Sequence, residues 1–356
     1  MRALAAALNI GAAVAFAASV QSQSVPPPAG LTISGVVLGA NGSPLPFSTA
    51  SLAGTDIERF SNERGEFVLG NVAPGVYHLR VRQLGFAAMD TAITLRAGAP
   101  ITGLRIVLSP VAFRLATVTV RDKKSCVVPT EISVAGSDFE TIITELRKNA
   151  ERERLLGTTY PFEYVLAKSF DSDNSRVAPV QSTTDTVAYR SDERPRYFPG
   201  GLVRPDETRR PPNNRMMVIP VLADIGDAEF LRTHCFTYDG PVKDEGIATY
   251  RIDFSPMGSL HAADVEGSAF LDRNSFVIRR AVFRLTRGGS LRPPVLDLEV
   301  TTHYREIFPG VTVVRDVSAV QMVGGQFARP IQVRESQRLL TFRFLKGQPG
   351  DTLHRE

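Results

Sequence analysis

Five histidines, two cysteines and several aspartate-rich or glycine-rich stretches are the residues in this chain whose types could do chemistry. Hydrolysis by zinc needs His-Glu-x-x-His or His-x-x-Glu spacing with a third ligand nearby. His78, His234, His261, His303 and His354 each stand alone. His261 has Asp264 three positions on, but the surrounding pattern reads as a loop between strands, so ordinary surface polarity is the expectation. A serine nucleophile on a tight elbow takes the form Gly-x-Ser-x-Gly, and the sequence has none. Gly288-Gly289 and Gly324-Gly325 fit hairpins and have no helix after them that could cradle a phosphate. Asp171-Ser172-Asp173-Asn174 lacks the sixth-position glycine and distal glutamate of a calcium loop, and reads as a solvated turn. The expectation is a non-catalytic chain with no metal and no cofactor.

Cys126 and Cys235 lie 109 positions apart, which excludes a zinc-type cluster. In an oxidising compartment such a pair reads first as a disulfide; two buried thiols are the alternative. Closing so long a loop contributes about 4–5 kcal/mol in the chain-entropy model. His234 is next to Cys235 in sequence, but on a strand it points to the opposite face, so the pair makes no activated thiol.

The compartment follows from the first residues. Residues 1–22 have the grammar of a secretory signal, with Arg2 as the charged end and Ala3 to Ala18 as a small-residue apolar stretch. The alternative is a membrane anchor, but the run falls short of the ~20 residues that span a bilayer. A Pro-rich linker follows at 23–30, with Pro26-Pro27-Pro28 extended. No later run is long and apolar enough for a transmembrane span, so the expectation is an exported protein of the periplasm or outer membrane of a bacterium.

Composition agrees with a folded protein: of 356 residues 43% are hydrophobic and 22% charged, with a formal net charge of +4. The richest basic stretch, Arg190 to Arg215, is interrupted by prolines and acids and reads as a solvated, disordered or mobile loop rather than a nucleic-acid surface. Tryptophan is absent, and no exposed aromatic row marks a sugar platform.

From Leu31 onward short apolar-polar alternations recur about every ten residues, which predicts an antiparallel sandwich. Ile33, Val36 and Val37 open it, Phe67 and Leu69 alternate, and Tyr77, Leu79 and Val81 follow. Gly65 and Gly75 fall where turns need positive φ.

The motifs Gly35-Val36-Val37, Gly42-x-Pro44-Leu45, Asn62-x-x-Gly65-x-Phe67-x-Leu69, and Pro74-Gly75-x-Tyr77-x-Leu79-x-Val81 with Gly85-Phe86 come in a characteristic order. In that order residues 31–110 resemble the carboxypeptidase regulatory-like domain. The resemblance implies a transthyretin-like seven-stranded sandwich, also grouped with carbohydrate-binding-like folds, and an accessory rather than a peptidase role. The same domain stands at the front of TonB-dependent receptors, but only 236 residues follow Val120, too few for a plug and a barrel. Leu115 to Val120 reads as a strand that closes this unit, giving a domain at 31–120.

The remainder, 121–350, predicts one helix and an antiparallel sheet. Ser137 and Glu140 have capping-box spacing, and Phe139, Ile142, Ile143, Leu146 and Ala150 share one helical face. Gly157 reads as the stop, and the mixed-sign face of Glu140, Glu145, Arg147, Lys148, Glu151 and Arg152 as solvated. Long strands follow, including one with Tyr250, Ile252 and Phe254 on one face and a hairpin at Pro309-Gly310. Their rhythm over 230–345 resembles the outer-membrane lipoprotein-sorting (LolA-like) fold, which implies a sheet curled around a helix with room for acyl chains. The expected function is a non-catalytic cell-envelope protein. Its sandwich is a binding or docking module, and its sheet holds an apolar or lipid ligand. The alternatives are an accessory subunit of a carboxypeptidase-like or receptor system, or a carbohydrate-binding module. The sequence names neither the partner nor the oligomeric state.

Overall fold

The computed structural model describes residues 30–111, 138–172, 183–205, 215–291, 295–323 and 330–351. Seven strands come first: β1 (Leu31–Gly39), β2 (Thr49–Leu52), β3 (Glu58–Phe60), β4 (Glu66–Val72), β5 (Gly75–Arg82), β6 (Met89–Leu95) and β7 (Ile101–Leu108). They form two facing sheets, β4-β1-β7 and β3-β2-β5-β6. Alternation does what it predicts: Ile33, Val37, Phe67, Leu69, Leu79 and Val81 are all buried between the sheets. The sandwich and its seven strands match expectation, with one parallel pair, β1 against β7, among the antiparallel ones.

Three glycines of the motif sit at left-handed backbone positions. Gly42 and Gly85 have φ of +79° and +76°. Gly65 has φ +75°, and a Cβ there would lie 2.5 Å from the Val37 carbonyl oxygen. Gly75 departs from the reading: it is the first residue of β5 and is not among the positive-φ residues. The left-handed position near that turn belongs to Asn71, at φ +59°. Gly75 instead makes room for the Tyr77 ring, 3.2 Å from where its Cβ would sit.

Helix α1 (Asp138–Thr159) follows, and places Ile142, Ile143, Leu146 and Ala150 in the core. Gly157 does not stop it. The helix runs on to Thr159 and ends before Pro161, which disfavours helical geometry at the residue preceding it. Ser137, the expected cap, and the Leu115–Val120 strand lie outside the described residues.

Beyond α1 come β8 (Phe162–Ser172), β9 (Thr183–Arg190), β10 (Val203–Pro205), β11 (Arg215–Met217), α2 (Leu222–Ile225) and α3 (Ala228–Thr233). Then follow β12 (His234–Asp244), β13 (Ile247–Pro256), β14 (Asp264–Asp272), β15 (Ile278–Thr286), β16 (Val295–Phe308), β17 (Val311–Val323) and β18 (Ile331–Phe344). One nine-stranded antiparallel sheet collects them in the order β12-β13-β14-β15-β16-β17-β18-β8-β9. Sequential hairpins build it, including the expected turn at Pro309-Gly310, and β8-β9 adds on beyond β18.

The stretch expected as one loop at 190–215 carries structure in its described part. Tyr197 and Leu202 are in the core, and β10 pairs with β11. Two apolar clusters join the sheet to α1. One combines Ile142 and Leu146 with Phe230, Phe236, Phe254 and Phe283. The other combines Leu155 and Leu156 with Phe60, Phe162 and Val311, so the sandwich contributes to it as well.

Candidate functional site

The polar side of α1, expected to be solvated, is its junction with the sandwich. Glu145, Lys148, Asn149 and Arg152 are all buried. The Glu145 carboxylate accepts from Gly85 N at 2.9 Å and from Lys148 Nζ at 2.6 Å. Lys148 also donates to the carbonyls of Gln83 (3.1 Å) and Phe86 (2.5 Å). Arg152 donates to Gln83 Oε1 at 2.9 Å and to the Gly310 carbonyl at 2.7 Å. Asn149 grips the turn before β15, donating to Phe276 O at 2.8 Å and accepting from Ile278 N at 3.0 Å. Arg82 adds ion pairs to Glu58, at 2.6 Å, and to Glu151.

Burial raises the Glu145 and Glu58 carboxyls above their ordinary values and lowers the Arg152 guanidinium to about 9, while the opposite charges work against those shifts. Glu145, Lys148, Asn149 and Arg152 each meet groups of the right kind, as buried polar groups must, while Arg82 Nε is buried without a hydrogen-bond partner among the described residues. These residues tie α1 to the sandwich turn at 83–86, to the turn before β15 and to the Pro309-Gly310 hairpin.

One face of the large sheet carries a more open strip. Past Tyr164 and Leu339, β8 and β18 continue beside β17 with inward residues that are only half-buried: Lys168, Phe170, Val317, Ala319, Glu335 and Gln337. Lys168 pairs with Glu335 at 2.7 Å and lies 4.6 Å from the centre of the Phe170 ring. At the α1 end of this strip, Arg194 reaches Glu153 at 3.4 Å and Tyr164 stacks on Tyr189. Burial pushes the Tyr164 phenol up to about 12 and the Asp224 carboxyl up to about 6. Burial alone would lower Arg194, but Glu153 and Asp224 outweigh it and raise the guanidinium.

A cleft of about 790 Å³ lies where the sandwich meets residues 348–351. Gly35, Val36 and Val68 line it from the sandwich, Phe308 from the sheet, and Arg64 and Asp351 contribute charge. It falls within the size range of small-molecule sites.

His234, Asp264 and Tyr197 come together deep in the second domain, which no sequence spacing indicated. The Tyr197 hydroxyl donates to Asp264 Oδ1, and Gly200 N donates to Oδ2 at 2.8 Å. His234 Nε2 is 3.8 Å from the same carboxylate, and burial lowers the imidazole while Asp264 works against that shift. Asp264 and His234 are wholly enclosed, so the trio anchors the 197–200 segment. The reading of Asp264 as surface polarity is thereby corrected; His261 is exposed as expected. His78 and His303 pair with Asp90 and Asp316. Among the described residues, no group of three His, Cys, Asp or Glu side chains is placed to hold a metal.

The motif residues Gly35, Gly42, Pro44, Gly65, Phe67, Pro74, Gly75, Tyr77 and Gly85 all sit in strands or turns of the sandwich, where packing and backbone geometry explain them. Of these, Gly35 also lines the 790 Å³ cleft, and Gly85 faces α1. Cys235 lies on β12 opposite Ser255, and Cys126 is outside the described residues.

The front unit is thus a transthyretin-like sandwich docked on a helix-and-sheet domain. The family model of the carboxypeptidase regulatory-like domain matches residues 32–109, so the front of the chain carries that domain. No curated protein matches the chain. Among solved structures, a domain described as an outer membrane lipoprotein-sorting protein from Vibrio parahaemolyticus is 9% identical, with 60% of this chain and 97% of that one covered and a TM-score of 0.31. A DUF1329 family protein from Desulfovibrio piger is 10% identical over 58% and 94% of the two chains, also at 0.31. A cohesin–X-dockerin complex chain from Acetivibrio cellulolyticus is 18% identical at 0.19; the match covers 23% of this chain and spans 58% of that one. Similarity at this level says nothing of what the chain binds. Among the described residues no helix is long and apolar enough to cross a membrane.

Proposed function

We propose that this chain is a non-catalytic, exported binding protein of the cell envelope. In this reading the sandwich is a docking module held rigidly on α1, and the strip beyond Tyr164 and Leu339 receives an amphipathic, acyl-bearing ligand. The observation that carries the reading is the half-buried inner row of Phe170, Val317 and Ala319, interrupted by the mutually neutralised Lys168–Glu335 pair. Apolar area left half in water gains from being covered, at about 25 cal/mol per Å². Export rests on the leader, and it places Cys126 and Cys235 where they would pair.

The test is to strip lipid from the full chain and titrate it with a fluorescent long-chain fatty acid. Saturable uptake that Ala319→Glu abolishes, with the far-UV spectrum unchanged, supports the reading. No saturable uptake, together with no lipid retained on gentle purification, removes it. Peptide turnover by the purified chain would remove the non-catalytic part.

The 790 Å³ cleft favours a second reading, in which the sandwich binds an extended polar polymer such as a glycan between Val36 and Phe308. Val36→Arg fills that cleft without touching the strip, so retention on a glycan matrix that this variant loses separates the two.

A further inference from the structure

Phe198 is a large apolar side chain left 43% exposed in a segment whose neighbours are fixed. On one side of it Tyr197 is buried and donates to Asp264. On the other side Gly200, at φ +73°, donates to the second oxygen of the same carboxylate, and Gly201 N closes a turn on the Phe198 carbonyl at 2.9 Å. Asp264 itself is enclosed and is the first residue of β14. A buried carboxylate therefore clamps both flanks of a turn whose tip is a phenylalanine facing water.

The tip is framed by positive charge. The guanidinium carbons of Arg196 and Arg204 lie 5.5 and 5.6 Å from the centre of the Phe198 ring. Arg204 also donates to the Arg196 carbonyl, which ties the two together across the turn. Arg287, exposed, donates to the carbonyl of Leu260, and the Leu260 side chain lies against Gly200. Among the described residues, the surface acid that touches this group is Asp227, paired with Arg196 at 3.3 Å. Among the described residues, three arginines against one surface aspartate leave the exposed patch positive, with the Asp264 carboxylate buried beneath it.

From this arrangement we infer that the turn at Phe198 is an interfacial anchor that docks the protein on an anionic bilayer surface. An aromatic ring is stable at headgroup depth, where its apolar body leaves water, and arginines beside it meet lipid phosphates. Each arginine near an anionic surface contributes about 1 kcal/mol, about fivefold in partition, and the attraction fades with salt. The clamp on Asp264 matters because a tip already ordered loses little entropy on docking. The inference is independent of what the strip or the cleft binds.

The test is co-sedimentation of the full chain with vesicles of phosphatidylcholine alone or mixed with phosphatidylglycerol. Expected is partition onto the anionic vesicles that falls on raising salt. Phe198→Ala should weaken it severalfold, and Arg196→Gln with Arg204→Gln roughly twenty-five-fold, with thermal unfolding unchanged. Tyr197→Phe, which removes the hydroxyl from the clamp while keeping Phe198 and the arginines, should weaken it less than Phe198→Ala does. Equal partition onto both vesicle types, no partition at low salt, or Phe198→Ala behaving like the parent chain overturns the inference. So does capture by a soluble polyanion without capture by the vesicles.

Discussion

Arg152 and Gln83 meet at 2.9 Å although they belong to different domains, and the same guanidinium reaches the Gly310 carbonyl at 2.7 Å. One side chain on α1 therefore spans from the turn after β5 to the hairpin between β16 and β17. The position of the sandwich on the sheet depends on this side chain and on Lys148 beside it.

Replacing Arg152 with Met keeps an apolar stem but removes the donors to Gln83 and to the carbonyls of Gly310 and Pro309. The expected loss is about 3 kcal/mol or more, as for one partner removed from a buried charged network. Denaturant unfolding should also become less cooperative, because the front and back units lose one of the ties between them. A single transition at the parental midpoint would show that the network is dispensable.

Asp224 makes a pH prediction. Burial raises its folded value to about 6, above the ordinary 3.8 of an exposed aspartate, so the folded state holds the proton more tightly than the unfolded chain. Stability from this group is greatest below about pH 4 and falls as pH rises towards 6, by at most about 3 kcal/mol. Asp272 and Asp316, whose carboxyls are lowered, act in the opposite sense. The measurement is therefore a difference: Asp224→Asn against the parent, unfolded at pH 4 and at pH 7. The variant should gain relative stability at pH 7, and an equal offset at both pH values would contradict the burial of that carboxyl.

Gly65 and Gly75 should no longer behave alike. Gly65→Ala forces a left-handed residue and a Cβ against the Val37 carbonyl, and costs about 2 kcal/mol or more. Gly75→Ala meets only the Tyr77 ring at ordinary backbone angles, and costs about 1 kcal/mol or less. Equal midpoints in thermal unfolding would refute the distinction.

The cysteines are checked by mass. Protein recovered from an oxidising compartment should be two hydrogens lighter than after reduction, with no thiol open to alkylation in denaturant. Reduction should then destabilise it by up to about 4–5 kcal/mol. Two alkylated thiols before reduction would mean that Cys126 and Cys235 do not pair.

Much of the sandwich was legible from Ile33 to Leu108 because period-two alternation and turn glycines are local signals, each readable within a few residues. The apolar face of α1 and the strand of Tyr250, Ile252 and Phe254 were legible for the same reason. Gly75 was misassigned because a glycine that yields space to a neighbouring ring looks the same in sequence as one at positive φ. Tyr197 and Leu202 were hidden inside a basic, proline-broken stretch, and the faint signal was a pair of aromatics followed by Leu202-Val203.

By itself the sequence determined the sandwich with its motif residues, and beyond it one long helix and long strands. It could not determine that Glu145, Lys148 and Arg152 are buried. Long amphipathic side chains are written identically whether they face water or a partner surface, and only the docking of Gln83 to Phe86 against α1 made that choice. The tertiary structure likewise decided that Asp264 lies inside. Its carboxylate is satisfied by Tyr197 and Gly200, more than sixty residues away in the chain, and that satisfaction is what allows a charge to be buried and leaves Phe198 facing outward.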